Sequence, residues 1–293
     1  MTEAATAAGN LGVLCLSKKL GEHKASSDRG KPAIARWFSS SSRFSTHPPL
    51  PLTQPANNNT ISRVALYGLF ANASTTPPVR ALFFEFPNEP ELFGLDKQFM
   101  IGRDILVTPV LSPNVTSVEG IFPGRGQVVW RHFITHEVVK ASDGKVTLEA
   151  PLGHINVHIR DGSAILMHAK PANTTEETRQ GPFSLLVSLA SNGGAFGSYY
   201  LDDGVSNPPG ASTTLSFVAS DNQLQIRADG EFTIGQQLEE ITILGVSERP
   251  SEVTVQNSAI TTWEYDEGLE QIKLSNLTID LNGNQDIAWR VSA

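Results

Sequence analysis

Several side chains in this sequence are of types that carry chemistry, and their spacing limits what they could do. Asp202 and Asp203, followed by Gly204, close the aromatic run Ser198-Tyr-Tyr-Leu201. Two carboxylates could share acid and base work on one bond. Adjacent residues of a strand point to opposite faces, however, and Asp-Gly is a strong turn signal, so a hairpin end is expected here. His154 and His158 are four apart, which places them on one face of a strand with Asn156 between them. A metal site would need a third ligand, and the neighbouring sequence offers none, so packing histidines are expected. Glu85 stands between Phe84 and Phe86. A carboxyl group in apolar surroundings can act as an acid with a raised pKa, and an ion pair with Arg80 accounts for it equally well. Tyr199, Tyr200, Trp263 and Tyr265 could stack on sugar rings, but alternation is expected to divide them between core and surface. The glycine strings at Phe122-Pro-Gly-Arg-Gly126 and Asn192-Gly-Gly194 lack a following helix with Lys-Ser/Thr, so they read as turns and not phosphate cradles. No Gly-x-Ser-x-Gly elbow occurs. The residues alone therefore give no catalytic set, no metal site and no call for a cofactor.

The elements that must hold these side chains are mainly strands. The chain has 293 residues, of which 40 % are hydrophobic, enough for ordinary cores. A net charge of −8 and an isoelectric point near 5.4, with no basic stripe after residue 63, argue against a nucleic-acid partner. A lone Cys15 excludes an intrachain disulfide and a cysteine metal cage. Five Asn-x-Ser/Thr sequons, at Asn58, Asn72, Asn114, Asn173 and Asn276, are candidates for N-glycosylation and hint at a secreted ancestry. The apolar run Leu11-Gly-Val-Leu-Cys-Leu16 is short for an export signal, and Lys18 and Lys19 follow it on the wrong side. With no run of 18 apolar residues, no membrane partner is expected.

Residues 1–62 hold Ser39 to Ser42, four prolines between Pro48 and Pro55, and Asn57-Asn-Asn59, and read as an irregular or disordered leader. Residues Arg63 to Ser74 are dense enough in apolar side chains for a short buried helix, stopped by Pro77 and Pro78. Ala81 to Phe86 reads as a strand covered on both faces. Asp104 to Leu111 reads as another, its Pro109 placing it at an edge or a crossover. From about Val115 short strands alternate with turn pairs such as Pro123-Gly124, Asp143-Gly144 and Asp161-Gly162, as expected of a small antiparallel sandwich. After the polar stretch Lys170 to Gln180, nine further strand candidates from Phe183 to Val291 imply a second one.

The order of the pieces Leu66-Tyr-Gly-Leu-Phe70, Arg80-Ala-Leu-Phe-Phe-Glu-Phe-Pro87, Gln98-Phe-Met, Leu106-Val-Thr-Pro-Val-Leu111, Phe122-Pro-Gly124, His154 to Gly162 and Ser198-Tyr-Tyr-Leu-Asp-Asp-Gly204 resembles the C-terminal portion of glycoside hydrolase family 31, the α-glucosidases, and most closely its secreted fungal members. The resemblance covers about three quarters of the chain, from about Leu66 to its end. It implies the end of a catalytic barrel followed by proximal and distal β-sandwiches. A whole (β/α)8 barrel needs about 250 residues, and 77 precede Pro78, so only a barrel remnant is expected. The expected class is mainly β, with a leader at 1–62, a barrel remnant at 63–108, a proximal sandwich at 109–170 and a distal sandwich at 171–293.

In that family two carboxylates about 5 Å apart perform retaining hydrolysis of terminal α-linked glucose in maltose and starch oligosaccharides. The family's Trp-Ile-Asp-Met-Asn-Glu and His-x-Gly-Asp types of motif do not occur in this sequence. No catalytic or sugar-binding residue can therefore be carried over, and inactivity of the chain alone is expected. The sequence also departs from the family at Arg131-His-Phe-Ile134, where a Tyr-Asp-Trp-Tyr series is usual, and at Arg160-Asp-Gly-Ser163, where Arg-Gly-Gly-Ser is usual. A non-catalytic carbohydrate-binding or interaction module, and a truncated product without its own function, are the alternatives. The resemblance further implies an α-glucan or maltooligosaccharide partner and an extracellular location. Exposed barrel strands would favour self-association.

Overall fold

Alternating apolar and polar residues between turn pairs produce a β-rich structure. It is a computed structural model describing residues 77–141, 143–170, 172–206 and 210–291. The leader at 1–62, the helix expected at 63–74, and the sequons at Asn58 and Asn72 lie outside the described residues.

In chain order the first strands are β1 (Val79–Arg80), β2 (Phe99–Ile101), β3 (Ile105–Thr108), β4 (Ser117–Ile121), β5 (Trp130–His132), β6 (Lys145–Glu149), β7 (Asn156–Arg160) and β8 (Ser163–His168). The single α-helix among the described residues, α1 (Thr175–Gln180), follows. Then come β9 (Phe183–Ser188), β10 (Ala195–Asp202), β11 (Ser212–Ser220), β12 (Gln223–Gly230), β13 (Gln237–Leu244) and β14 (Pro250–Val255). The last are β15 (Ser258–Ala259), β16 (Trp263–Asp266), β17 (Gln271–Leu274), β18 (Ile279–Asp280) and β19 (Gln285–Val291).

A first sheet has the order β1-β2-β3-β7-β5 and is antiparallel throughout. Strands β4 and β6 form a separate ribbon. A larger sheet has the order β15-β14-β19-β12-β11-β10-β8-β9-β13-β17-β16, with β18 added beside β13. It encloses one core that takes Leu166, Leu185, Leu215, Ile226, Ile243, Ile272 and Trp289 from seven different strands. The first sheet lies on the opposite face of β8, β9 and β13, where Phe99, Ile105 and Ile159 meet Ile165, Leu186 and Leu244. On its other face Met100, Leu106 and Trp130 are covered by the ribbon side and by turns contributing Leu82, Leu92 and Phe122. Strands β3 and β9 are consequently buried along their whole length. Both read as continuous apolar or small-residue runs, as doubly covered strands do.

Local chemistry fixes the connections. Asp221-Asn222 and Gln256-Asn257 all have positive φ and join β11 to β12 and β14 to β15 in two-residue hairpins. Thr174 caps α1 through a capping box with Glu177. At Gly197 the crossing of β10 over β8 is so close that a Cβ would lie 2.1 Å from the carbonyl oxygen of Ala164.

Some elements differ from the sequence reading. Ala81 to Phe86 is not a strand: Leu82–Phe84 is a 3-10 turn, closed by the hydrogen bond from Glu85 N to Leu82 O and followed by Pro87. Its apolar side chains are thus divided, with Leu82 and Phe86 buried and Phe84 48 % exposed. The second apolar run forms β3 at the centre of its sheet, between β2 and β7, and not at an edge. Pro109 is harmless there because the strand ends at Thr108. Strand β3 pairs with β7, and β8 pairs with β9 across α1.

Candidate functional site

The acidic pair Asp202-Asp203 ends β10 as a turn. Asp202 Oδ1 accepts from Gly204 N at 2.7 Å, while Asp203 Oδ1 accepts from Val205 N and Ser206 N, both at 3.0 Å. The Ser206 hydroxyl also donates to Asp203. These bonds, the hydroxyl's first, hold the Asp203 carboxyl down at about 2. Each carboxylate is therefore committed to the backbone of its own loop. Arg179 reaches over from α1 to donate to Asp203 O at 2.8 Å and fills the space beside Gly204.

His154 and His158 are joined by a histidine that the sequence reading did not single out. Strand pairing sets His132 opposite His158, and the His132 ring stacks on His154 with centroids 5.9 Å apart. His158 meets His132 edge-on at 5.5 Å and Phe122 at 4.8 Å. The missed signal is the pattern His132 in one strand and His158 in its partner. His132 Nδ1 accepts from Ile134 N and Thr135 N, which requires the neutral ring. Burial pushes His132 below its usual value and takes His158 to about 3. Among the described residues no three His, Cys, Asp or Glu side chains are arranged to hold a metal ion. The His132 and His158 rings are therefore neutral, and with His154 they pack as one cluster.

Glu85 pairs with Arg80 at 2.5 Å, with both side chains largely buried. Its carboxylate is thereby held by a cation from β1 and closes the 3-10 turn. Tyr199 is buried and donates to Ala164 O at 3.1 Å, while Tyr200 is half-buried on the other face of β10. Trp263 and Tyr265, two apart, share a face of β16, and both pack on the large core. The alternation expected to divide this pair does not apply at a spacing of two. No exposed sugar platform arises from these four rings.

A carboxylate missed in the sequence is Asp104, in the turn between β2 and β3. Ser163 Oγ donates to its Oδ1 at 2.7 Å and Arg103 Nε lies 3.2 Å from the same oxygen. Burial raises its pKa. Arg160 N donates to Asp104 O at 2.8 Å, so the group clamps the β2–β3 turn to the β7–β8 turn. It faces no second carboxylate across a cleft. The other clamp is Arg131, which donates to Leu269 O at 3.0 Å and to Glu270 at 3.0 Å, tying the first sheet to the β16–β17 turn.

The three sequon asparagines within the described residues are all exposed. Asn114 and Asn276 occupy turns with positive φ, and Asn173 precedes the cap of α1.

Comparison with known proteins gives relatives for this arrangement of packed strands. Residues 75–165 match the glycosyl hydrolase family 31 C-terminal domain. An α-glucosidase of Schizosaccharomyces pombe is 45 % identical over 230 residues, which cover 77 % of this chain and 24 % of that protein. An α-glucosidase of Aspergillus niger is 45 % identical over 198 residues, covering 66 % of this chain and 20 % of its own length. The chain thus spans about a quarter of the length of these relatives. Among solved structures, a glucosidase II α subunit superimposes with a TM-score of 0.66 at 21 % identity, over 77 % of this chain and 27 % of that one, which speaks for the fold. A dextranase of Flavobacterium johnsoniae gives 0.62 at 21 % identity, over 77 % and 31 %. With a domain match at 75–165 and similarity that continues through the strands beyond it, the chain belongs to glycoside hydrolase family 31, of which it carries the C-terminal portion.

Proposed function

We propose that this chain is the non-catalytic C-terminal portion of an α-glucosidase, an enzyme releasing terminal α-linked glucose from maltose or starch oligosaccharides. The observation that carries the reading is its 45 % identity to an α-glucosidase across 230 residues, combined with the absence of the family's two carboxylate motifs from its sequence. The side chains described above support it, because each acidic candidate serves a turn or a clamp. On this reading the chain is inactive alone. Residues 63–108 belong to the end of a barrel, 109–170 to a proximal and 171–293 to a distal sandwich.

Hydrolysis of 4-nitrophenyl α-glucoside and maltose by the purified chain tests this. No turnover above buffer is expected, and activity is expected to appear when a polypeptide supplying the family's upstream barrel is co-expressed. Turnover by the chain alone, at its verified mass, would overturn the reading.

Extracellular location with glycans on Asn114, Asn173 and Asn276 is part of the same proposal, supported by the exposure of all three. Expression in a eukaryotic secretory host should yield a mass that falls on glycosidase treatment and in each Asn→Gln variant; an unchanged mass refutes it. Self-association is supported by the aromatic cluster of Phe83, Phe84 and Phe93, whose last two members are 48 % and 58 % exposed. A monodisperse monomer in gel filtration would refute that part.

A further inference from the structure

Where the first sheet stops covering the large one, the exposed face of the large sheet carries a polar cleft. Cross-strand register sets Met167, Ser184 and Glu240 in one row across β8, β9 and β13. Leu186, Thr242, Lys273 and Glu264 form the next row across β9, β13, β17 and β16. Gln271 and Asp266 begin a third. Phe133 and His136, from the loop after β5, roof a cavity of about 220 Å³ over the first two rows. A second cavity of about 490 Å³ runs on along β16 and β17 and shares Gln271 and Lys273 with the first.

We propose that this pair of cavities binds a short neutral oligosaccharide. Apolar surface comes from Met167 and Leu186 in the floor and from Phe133 in the roof, which suits the C–H face of a pyranose ring. The walls bring a hydroxyl, an amide, a carboxylate and an ammonium group, from Thr242, Gln271, Glu240 and Lys273, to one opening. Groups of both signs beside donors and acceptors match vicinal hydroxyls, which donate and accept at once, better than they match an anion or a cation. Among the described residues, no ion pair involves Lys273, Glu240 or Glu264, although the first and last are directly opposite. His136 is fixed as the roof by Nδ1 at 2.6 Å from Gln271 Oε1, and burial, Arg131 and Lys273 keep its pKa low. The roof imidazole is therefore neutral. From β9 to β16 the row spans three strand spacings, about 14 Å, which is longer than one sugar ring.

Maltotriose, cellotriose and glycerol are the probes, titrated calorimetrically into the whole chain. The choice of an α-linked probe rests on the function proposed above, whereas the cleft rests on its own geometry. Saturable binding of maltotriose near 1 mM, about −4 kcal/mol, and none of glycerol are expected. Thr242→Trp, which fills the smaller cavity, should weaken binding at least about tenfold. Lys273→Ala should weaken it severalfold without unfolding, because Lys273 is exposed; Ser216→Ala, on the outer face of β11, should leave it unchanged. Binding of cellotriose alone with the same variant pattern would uphold the cleft and count against the α-glucosidase reading. No saturable binding of either trisaccharide, or binding that both cleft variants leave intact, overturns the proposal.

Discussion

Acidification should destabilise this chain through the histidine stack, and His158 sets the size of the effect. Its ring is 1 % exposed and its Nδ1 has no hydrogen-bond partner. Burial first, then His132 and His154, hold its pKa at about 3, against about 6.5 in an unfolded chain. Between those values the unfolded chain takes up a proton that the folded one refuses. Stability therefore falls as pH drops through about 6.5, and this loss ends near pH 3. At pH 5 the solution lies 1.5 units below the pKa of the unfolded imidazole, which costs the fold about 2 kcal/mol relative to pH 7. His132 and His136 are shifted in the same direction and add to the loss. Urea unfolding of the wild type and of His158→Leu at pH 7, 6 and 5 measures the contribution. Leucine keeps the volume and removes the proton site, so the fall between pH 7 and 5 should shrink by about 2 kcal/mol in the variant. Equal falls in the two proteins would refute the argument, because they would mean that His158 is as easily protonated in the fold as out of it.

Two further outcomes follow from buried geometry. Glu85→Ala leaves Arg80 buried without its partner and should cost about 3 kcal/mol in urea unfolding, whereas the joint replacement Arg80→Met with Glu85→Leu should recover much of it; a Glu85→Ala chain as stable as the wild type would show that the ion pair does not matter. Gly197→Ala drives a methyl group into the carbonyl of Ala164 and should destabilise by about 3 kcal/mol or more, while Gly210→Ala, with open space around it, should change little; similar melting temperatures for both would disprove the close crossing of β10 and β8.

Much of the strand layout was legible because the period of two is local. Strands β6, β7, β11, β12 and β17 lie where alternation and turn pairs put them, and Asp202-Asp203-Gly204 behaves as the Asp-Gly signal requires. The family was legible for a different reason, since motifs such as Arg80 to Pro87 and Ser198 to Gly204 keep their order along the chain. Sequence also excluded the family's carboxylate motifs, which is a matter of residue inventory and needs no coordinates. Partnership was not legible. The aromatic run at Ala81 to Phe86 has strand composition, yet a turn forms, because the Arg80–Glu85 pair and Pro87 favour closure over pairing. That β8 joins β9 across α1, that His132 completes the histidine stack, and that Glu240, Thr242 and Lys273 come to one cleft all depend on register between strands distant in sequence. Such contacts are set by which faces can be buried together, a property of the whole packed structure that no single segment carries.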